Sequence, residues 1–221
     1  MSASAPSAAR EREATIALID TALPALLTVP NEPLGVVAFA HGSGSSRLSP
    51  RNRLVASLLN DARVATLLVD LLTPSESLDR HNVFDVELLA RRLVAASRWL
   101  GVQPDARGLS IGYFGASTGA AAALWAAADL GTEVKAVVSR GGRPDLASAR
   151  LGEVRSPTLL IVGGFDKAVL ELNRSALGLL ACKAELRVVP QATHLFEEPG
   201  TLEQVAEIAR EWFTRHFGDS A

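Results

Sequence analysis

The sequence predicts an α/β protein whose central, mostly parallel sheet carries helices on both faces. Short runs rich in Val, Leu and other apolar residues alternate along the chain with longer segments whose apolar residues recur at helical spacing. Several of the short runs are apolar throughout, which is typical of strands covered on both sides. Because strands and helices alternate, successive strands need right-handed crossovers, and a doubly wound sheet follows.

The chain begins with "MSASAPSAAR", which is small, polar and rich in Ala and Ser. Such a segment has little apolar surface to bury, so we expect a flexible leader over residues 1–12. Next, "EATIAL" and "ALPALLTVP" alternate or cluster apolar residues over strand-like lengths, and Pro and Asn near residues 30–33 indicate a turn. These segments predict an antiparallel entry into the sheet.

Six further runs predict the central parallel strands. They are "GVVAFA" (35–40), "VATLLVD" (64–70), "IGYFGA" (111–116), "VKAVVS" (134–139), "TLLIVGG" (158–164) and "ELRVVP" (185–190). Helical spacing of apolar residues predicts helices over residues 50–62, 83–100, 118–130, 166–182 and 201–217. No internal repeat or change in composition appears, so residues 13–221 are predicted to form a single domain.

Composition excludes several classes of partner. The 221 residues include 22 basic and 24 acidic side chains, a formal charge of −2, so the chain lacks the positive field that nucleic acid or an anionic membrane would need. No alanine-free apolar stretch approaches the roughly 20 residues that span a bilayer. The lone Cys182 cannot form an internal disulfide and the N-terminal region has no secretory signal, so we expect a cytoplasmic protein. A homodimer is an option that the sequence leaves open.

One serine stands where nucleophiles are found. In "GASTG", Ser117 lies between Gly115 and Gly119, after a predicted strand and before a predicted helix. This is the setting of a nucleophile elbow, in which the glycines let strand and helix approach closely and the helix N-terminus stabilises negative charge. The alternative is an ordinary Ser N-cap in a turn of small residues.

A serine hydroxyl needs a base, and the sequence offers four histidines, His41, His81, His194 and His216. In α/β-hydrolases the order along the chain is Ser, acid, His, which leaves His194 and His216. We prefer His194 because it lies in a predicted loop after the last strand. His216 lies in the final amphipathic helix, where a surface role is usual.

The base in turn needs a carboxylate to orient its ring, and two aspartates follow predicted strands. Asp166 comes directly after "TLLIVGGF", at the carboxyl end of a central strand, where ligand sites of α/β sheets collect. Asp145 in "SRGGRPDLA" also follows a strand and stays the alternative. We therefore expect a triad of Ser117, Asp166 and His194.

The stretch "AHGSGSS" predicts the loop of an oxyanion hole. Gly42 and Gly44 allow turns that other residues resist, so we expect the N–H of Ser43 to point to the same place as the N–H of Thr118. His41 would brace the loop. The rival interpretation, phosphate binding, lacks the last Gly of GxGxxG and any GK[ST]. No HExxH motif, Cys cluster or His pair at i, i+4 spacing predicts a metal site.

With these residues in place, the chain resembles the dienelactone hydrolase family of α/β-hydrolases, especially bacterial members with a serine nucleophile. The resemblance runs from about residue 13 to residue 217. It is carried, in order, by "AHGSGSSRLSPRNRLVA", "ATLLVDLLTPSE", "GYFGASTGAAAAL", "VVSRGGRPDLA", "TLLIVGGFD" and "ATHLFEEPG". It implies the α/β-hydrolase fold, with Ser117 as nucleophile, Asp166 as acid and His194 as base. Similar chains are also found joined to a phosphoribosyltransferase domain.

One position departs from the family pattern. Members that cleave dienelactones have Cys at the elbow, where this chain has Ser, so a lactone substrate is not expected. Arg47, Arg140 and Arg143 are candidates for holding a substrate carboxylate, because a guanidinium binds a carboxylate bidentately. Their competing role is salt bridging at the surface or at strand ends. Gly44 is assigned to substrate binding with them.

The sequence thus predicts a serine hydrolase that cleaves small carboxylic esters or thioesters through an acyl-enzyme and needs no cofactor. The connection between residues 139 and 158 leaves no room for a lid domain, so we expect an open site. Two alternatives remain. The same triad serves acyl transfer to an acceptor other than water, and some relatives of this fold bind a small molecule without turnover.

Overall fold

The structure, a computed structural model, describes residues 9–218. Within that range eight strands form one sheet: β1 (Arg10–Ala17), β2 (Ala22–Val29), β3 (Gly35–Ala40), β4 (Val64–Val69), β5 (Ile111–Ala116), β6 (Val134–Arg140), β7 (Thr158–Gly163) and β8 (Ala184–Val189). Their order across the sheet is β1-β2-β4-β3-β5-β6-β7-β8. β2 pairs antiparallel with β1 and β4, and the remaining pairs are parallel. The mostly parallel sheet and its antiparallel entry are therefore confirmed.

Helices cover both faces of the sheet. The described residues form α1 (Pro50–Asp61), α2 (Arg80–Phe84), α3 (Val86–Leu100), α4 (Thr118–Leu130), α5 (Lys167–Leu177) and α6 (Thr201–Gly218). Helices α1 and α6 pack together on one face, and α3 and α4 pack together on the other. Two large apolar cores result, one on each side of the sheet, and a smaller cluster of Val162, Val169 and Leu170 lies where α5 packs on β7.

Strand β5 shows why its sequence is apolar at nearly every position. Side chains alternate along a strand, so neighbours point to opposite faces. Tyr113 points toward α3, where its hydroxyl lies 2.6 Å from Oγ of Ser97, and Phe114 packs on Phe39 on the other face with ring centroids 4.9 Å apart. Both rings are fully buried because both faces are covered.

The N-terminal boundary differs from the expectation. Strand β1 starts at Arg10 and pairs with β2 from that residue on, so residues 10–12 belong to the strand and not to a leader. Residues 1–8 of the expected leader lie outside the described residues.

Two predicted helices also have different limits. The helix expected over residues 83–100 is divided into α2 and α3. Asp85 separates them, because its side chain accepts a 2.9 Å hydrogen bond from the N–H of Leu88 and caps α3. The helix expected over residues 166–182 is α5, which ends before Gly178.

The topology creates a crevice at one edge of the sheet. After β3 the next strand, β4, lies on one side of it, whereas β5 lies on the other. The loops after β3 and β5 therefore diverge, and ligands of α/β sheets bind where this happens. The loop that contains Ser43 follows β3, and Ser117 follows β5.

Candidate active site

Ser117 occupies a tight turn between β5 and α4. Its backbone angles are φ 51° and ψ −121°, a conformation that costs a non-glycine residue about 1–3 kcal/mol. Its N–H donates to the carbonyl oxygen of Arg140 at 3.2 Å, and its own carbonyl accepts from the N–H groups of Ala120 and Arg143, both at 3.1 Å. The turn is thus bonded both to its helix and to the end of β6, which maintains the strained conformation.

The glycines on either side of Ser117 are required by close backbone approach. A Cβ atom at Gly115 would lie 2.4 Å from Cα of Ala120, and one at Gly119 would lie 2.1 Å from the carbonyl oxygen of Ala40. Real Cβ atoms essentially never show such distances to backbone atoms. The GxSxG spacing therefore follows from the packing of α4 against β5 and the end of β3.

Two residues at helix N-cap positions make no bond to their own helix. Ser and Asp at an N-cap usually accept a hydrogen bond from an N–H of the first turn, as Ser49 does for α1. Ser117 precedes α4 and Asp166 precedes α5, yet neither side chain makes such a bond. The ordinary capping role that was the alternative for Ser117 is therefore not what the structure shows.

Asp166 contacts His194 instead. Asp166 follows β7, and His194 lies in the loop between β8 and α6. The distance from Nδ1 of His194 to Oδ2 of Asp166 is 2.6 Å, and 39% of the histidine side chain is exposed against 14% of the carboxylate. With Nδ1 donating to the carboxylate, the Nε2 atom of the ring carries the lone pair that a general base needs.

Residues at the end of β6 contact both this pair and Ser117. A Cβ atom at Gly141 would be 3.2 Å from the carbonyl oxygen of His194 and 3.5 Å from its Nδ1 atom, so the histidine packs directly on Gly141. The preceding residue, Arg140, accepts the hydrogen bond from the N–H of Ser117. Two consecutive residues therefore contact the two groups: Arg140 contacts the serine turn and Gly141 contacts the histidine.

The alternative base and acid lie elsewhere. Asp145 is occupied by Arg143, whose Nε and Nη2 atoms donate to its two oxygens at 2.8 and 2.7 Å. The ring of His216 lies edge-on to Trp212 in α6, with centroids 4.5 Å apart. Of the pairs that the sequence left open, His194 with Asp166 is the pair that the fold brings together.

The glycine-rich loop after β3 touches the serine turn. A Cβ atom at Gly42 would lie 3.0 Å from Cβ of Ser117, and Gly44 has φ 68°. The N–H of Ser43 donates to Oγ1 of Thr118 at 3.0 Å. The Ser43 amide therefore points at the side chain of Thr118, which lies one residue beyond Ser117.

Asp70, at the end of β4, anchors both ends of this loop and was missed by the sequence analysis. One carboxylate oxygen accepts from the backbone N–H of Arg47 at 2.5 Å, and the other accepts from its Nη1 atom at 2.7 Å. Nε2 of His41 lies 3.6 Å from the same carboxylate, and Nδ1 of His41 is 3.0 Å from the carbonyl oxygen of Gly42. The available signal was a charged residue that ends an apolar run beside the crevice.

A cavity of about 400 Å³ adjoins the loop. Gly42 and Thr118, the two neighbours of the serine turn, line it together with Ser43, Gly44 and the rest of the loop. Its apolar lining residues are Pro24, Leu71, Leu72, Pro74, Val83 and Leu89. This volume lies in the usual range for small-molecule sites, roughly 300–1,000 Å³.

The three candidate arginines have different surroundings. Arg47 lines the cavity but is paired with Asp70, and Arg143 is paired with Asp145, which raises the pKa of its guanidinium. Arg140 is only 8% exposed, and neither its Nε nor its Nη1 atom has a hydrogen-bond partner.

Arg140 therefore carries a charge in a poorly solvated place. Its guanidinium carbon lies 5.9 Å from the ring centroid of Phe196, two residues after His194. Burial, helped by the charge of Arg51, lowers its pKa to about 10. The structure brings this side chain under the histidine loop and not into the lining of the cavity.

Among residues 9–218, no group of three or more His, Cys, Asp or Glu side chains is arranged to hold a metal ion. In the same range, no helix is both long enough and apolar enough to cross a membrane.

Solved structures similar to this chain include a hydrolase. A dienelactone hydrolase from Anabaena variabilis is 52% identical, with a TM-score of 0.92 over 95% of this chain and 99% of the other. Est1E from Butyrivibrio proteoclasticus is 17% identical, with a TM-score of 0.80 over 93% and 99% of the two chains, a likeness of fold. No family model matches the chain.

Two curated relatives from strains of Mycobacterium tuberculosis have another name. Each is provisionally named a phosphoribosyl transferase and is 64% identical over 190 residues. The match includes 86% of this chain but only 43% of the length of each relative.

Proposed function

Because this chain belongs to the dienelactone hydrolase family of α/β-hydrolases, we propose that it is a serine hydrolase that cleaves small carboxylic esters or thioesters. The observation that carries the proposal is the turn at Ser117. The serine there has a strained backbone at the N-terminus of α4, and its hydroxyl makes no capping hydrogen bond to that helix. The contact between Asp166 and His194 supports it, because it supplies an oriented base from loops at the same edge of the sheet.

In the proposed acylation step, Oγ of Ser117 attacks the carbonyl carbon while Nε2 of His194 takes the hydroxyl proton. Asp166 keeps Nδ1 protonated and stabilises the imidazolium that forms. The imidazolium then gives its proton to the departing alcohol or thiol as the carbon–oxygen or carbon–sulfur bond breaks. This leaves the acyl group on Ser117.

The oxyanion would be held by backbone amides. The N–H of Thr118 lies at the N-terminus of α4, where the helix dipole adds to the stabilisation of negative charge. The N–H of Ser43 would be the second donor, exchanging its hydrogen bond to the Thr118 hydroxyl for one to the oxyanion. Each such donor is worth about 3 kcal/mol in other enzymes.

Deacylation repeats the step with water as the nucleophile. Nε2 of His194 takes a proton from water, the hydroxide attacks the acyl carbon, and Ser117 leaves as its proton is returned. The proposed cycle uses no cofactor. The name of the mycobacterial relatives does not bear on it, because this chain spans less than half of their length.

Labelling with a fluorophosphonate tests the proposal. The reagent should modify Ser117, located by mass spectrometry, and abolish hydrolysis of p-nitrophenyl acetate. Ser117→Ala should remove both signals, whereas Ser175→Ala, on the exposed side of α5, should change neither. Asp166→Asn should lower kcat on the order of 10⁴-fold. Labelling at another residue, or esterase activity that survives Ser117→Ala, would refute the proposal.

A further inference from the structure

The cavity beside the Ser43 loop contains charged side chains, but they bind one another. Of its lining residues, Arg47, Asp70 and His41 are ionisable. Asp70 binds Arg47 through two hydrogen bonds and lies 3.6 Å from Nε2 of His41. All three side chains are largely buried, with 23%, 12% and 14% of their surface exposed.

The rest of the wall offers apolar surface. Leu71, Leu72 and Leu89 are 1%, 9% and 5% exposed and present their side chains to the space together with Val83. The polar remainder consists of serine hydroxyls and the backbone of the Ser43 loop. The two basic lining residues, Arg47 and His41, both lie against the carboxylate of Asp70.

We propose that this cavity is the site for an uncharged, apolar part of the substrate, and that Asp70 excludes carboxylates from it by neutralising Arg47. The inference rests on the proposed function, because it names the class of ester that the Ser117 site would cleave. A volume of about 400 Å³ holds roughly a dozen non-hydrogen atoms at about 30 Å³ each. A chain of six to eight carbons fits.

The exclusion follows from the cost of desolvating a charge. A carboxylate that enters a partly dehydrated cavity must find a cation or lose most of its hydration energy. The Arg47 guanidinium is already bound to Asp70, and a second carboxylate would also be repelled by the first. An apolar chain of equal length meets neither cost and gains by burial.

Matched esters test the preference. p-Nitrophenyl hexanoate and the mono-p-nitrophenyl ester of adipic acid have acyl chains of equal carbon number, but only the second ends in a carboxylate. Hexyl acetate and 6-acetoxyhexanoate repeat the comparison on the alcohol side. We expect kcat/KM to favour the uncharged member by about 100-fold in the series whose chain enters the cavity. Equal values in both series would overturn the inference.

Asp70→Asn should reverse the preference in part. Asparagine keeps a carbonyl oxygen for the backbone N–H of Arg47 but no longer neutralises its guanidinium, so the ratio of uncharged to carboxylate ester should fall at least tenfold. Adding Arg47→Met should restore the wild-type ratio. Asp129→Asn removes a carboxylate on α4 that accepts a hydrogen bond from Arg150, away from the cavity, and should leave the ratio unchanged. A ratio unaffected by Asp70→Asn would contradict the role of Asp70.

Filling the cavity tests its use without altering its charges. Val83→Phe should lower kcat/KM for the hexyl chain at least tenfold relative to p-nitrophenyl acetate. Val102→Phe, at a position that is 71% exposed, is the matched control and should have no effect. If Val83→Phe lowered kcat/KM for the hexyl ester and for p-nitrophenyl acetate to the same extent, the cavity would not be the site that binds the hexyl group.

Equilibrium binding separates failure of this inference from failure of the proposed function. 2-Octanone and 7-oxooctanoate have the same number of carbons and no ester to cleave. Calorimetry should show 2-octanone binding at least tenfold more tightly, and Val83→Phe should weaken it. If this difference appears while no ester is hydrolysed, the proposed function fails and the cavity assignment stands. Equal binding of the two ketones would refute the assignment whatever the enzyme cleaves.

Discussion

Replacing Gly119 with alanine should separate the Ser117 turn from the end of β3. A Cβ atom at this position would lie 2.1 Å from the carbonyl oxygen of Ala40 and 2.5 Å from that of His41. Both oxygens belong to the backbone, so neither can rotate away as a side chain could. The first turn of α4 must therefore move relative to the loop that carries Ser43.

The size of the effect can be estimated from these distances. Carbon–oxygen contacts are ordinary from about 3.3 Å, so the two segments must move apart by about 1.2 Å. A displacement of about 1 Å can cost roughly 100-fold in rate, because the reacting groups lose alignment. Overpacking costs about 1–3 kcal/mol, and each kcal/mol lowers the melting temperature of a chain of this size by about 2–4 °C.

The assay combines ester hydrolysis with thermal unfolding. Gly119→Ala should lower kcat/KM about 100-fold and the melting temperature by roughly 2–12 °C. Gly178→Ala is the control, because its new methyl group would meet nothing closer than 3.5 Å and φ there is −70°. Circular dichroism at the assay temperature shows that the variant measured is folded. A folded Gly119→Ala protein with wild-type activity would refute the packing argument for the turn.

Three further predictions concern polar and charged side chains. A hydrogen bond from Arg92 lowers the pKa of Glu76 from 4.5 to about 2, so the stability that this bond provides is complete above pH 4.5 and lost as the pH falls toward 2. In Glu76→Gln the urea midpoint of unfolding should therefore depend less on pH over that interval, and a pH profile identical to that of the wild type would contradict this. Arg140→Met should leave the free energy of unfolding equal or higher, because two buried guanidinium nitrogens have no partner; a loss above about 2 kcal/mol in urea would count against it. Tyr113→Phe should cost about 1 kcal/mol by removing the 2.6 Å hydrogen bond to Ser97, and an unchanged urea midpoint would show that this bond contributes nothing.

Much of the fold can be predicted because its signals are local. A strand covered on both sides must be apolar at nearly every position, so "IGYFGA" and "TLLIVG" predict the strands that the structure contains. Helix limits were less accurate where a single side chain decides them, as Asp85 does by capping α3. The triad assignment was reached from chain order and from strand ends, and it stays a prediction until Ser117 is tested.

The amino-acid sequence by itself determined the alternation of strands and helices, the glycines that the Ser117 turn requires, and a short list of acids and bases at loop positions. Only the tertiary structure decided which of these meet. Asp166 lies against His194, whereas Asp145 forms an ion pair with Arg143 and Asp70 forms one with Arg47. Spacing along a chain fixes which face of an element a residue occupies, but ion pairs between separate loops depend on strand order, and strand order is set by how the whole sheet packs.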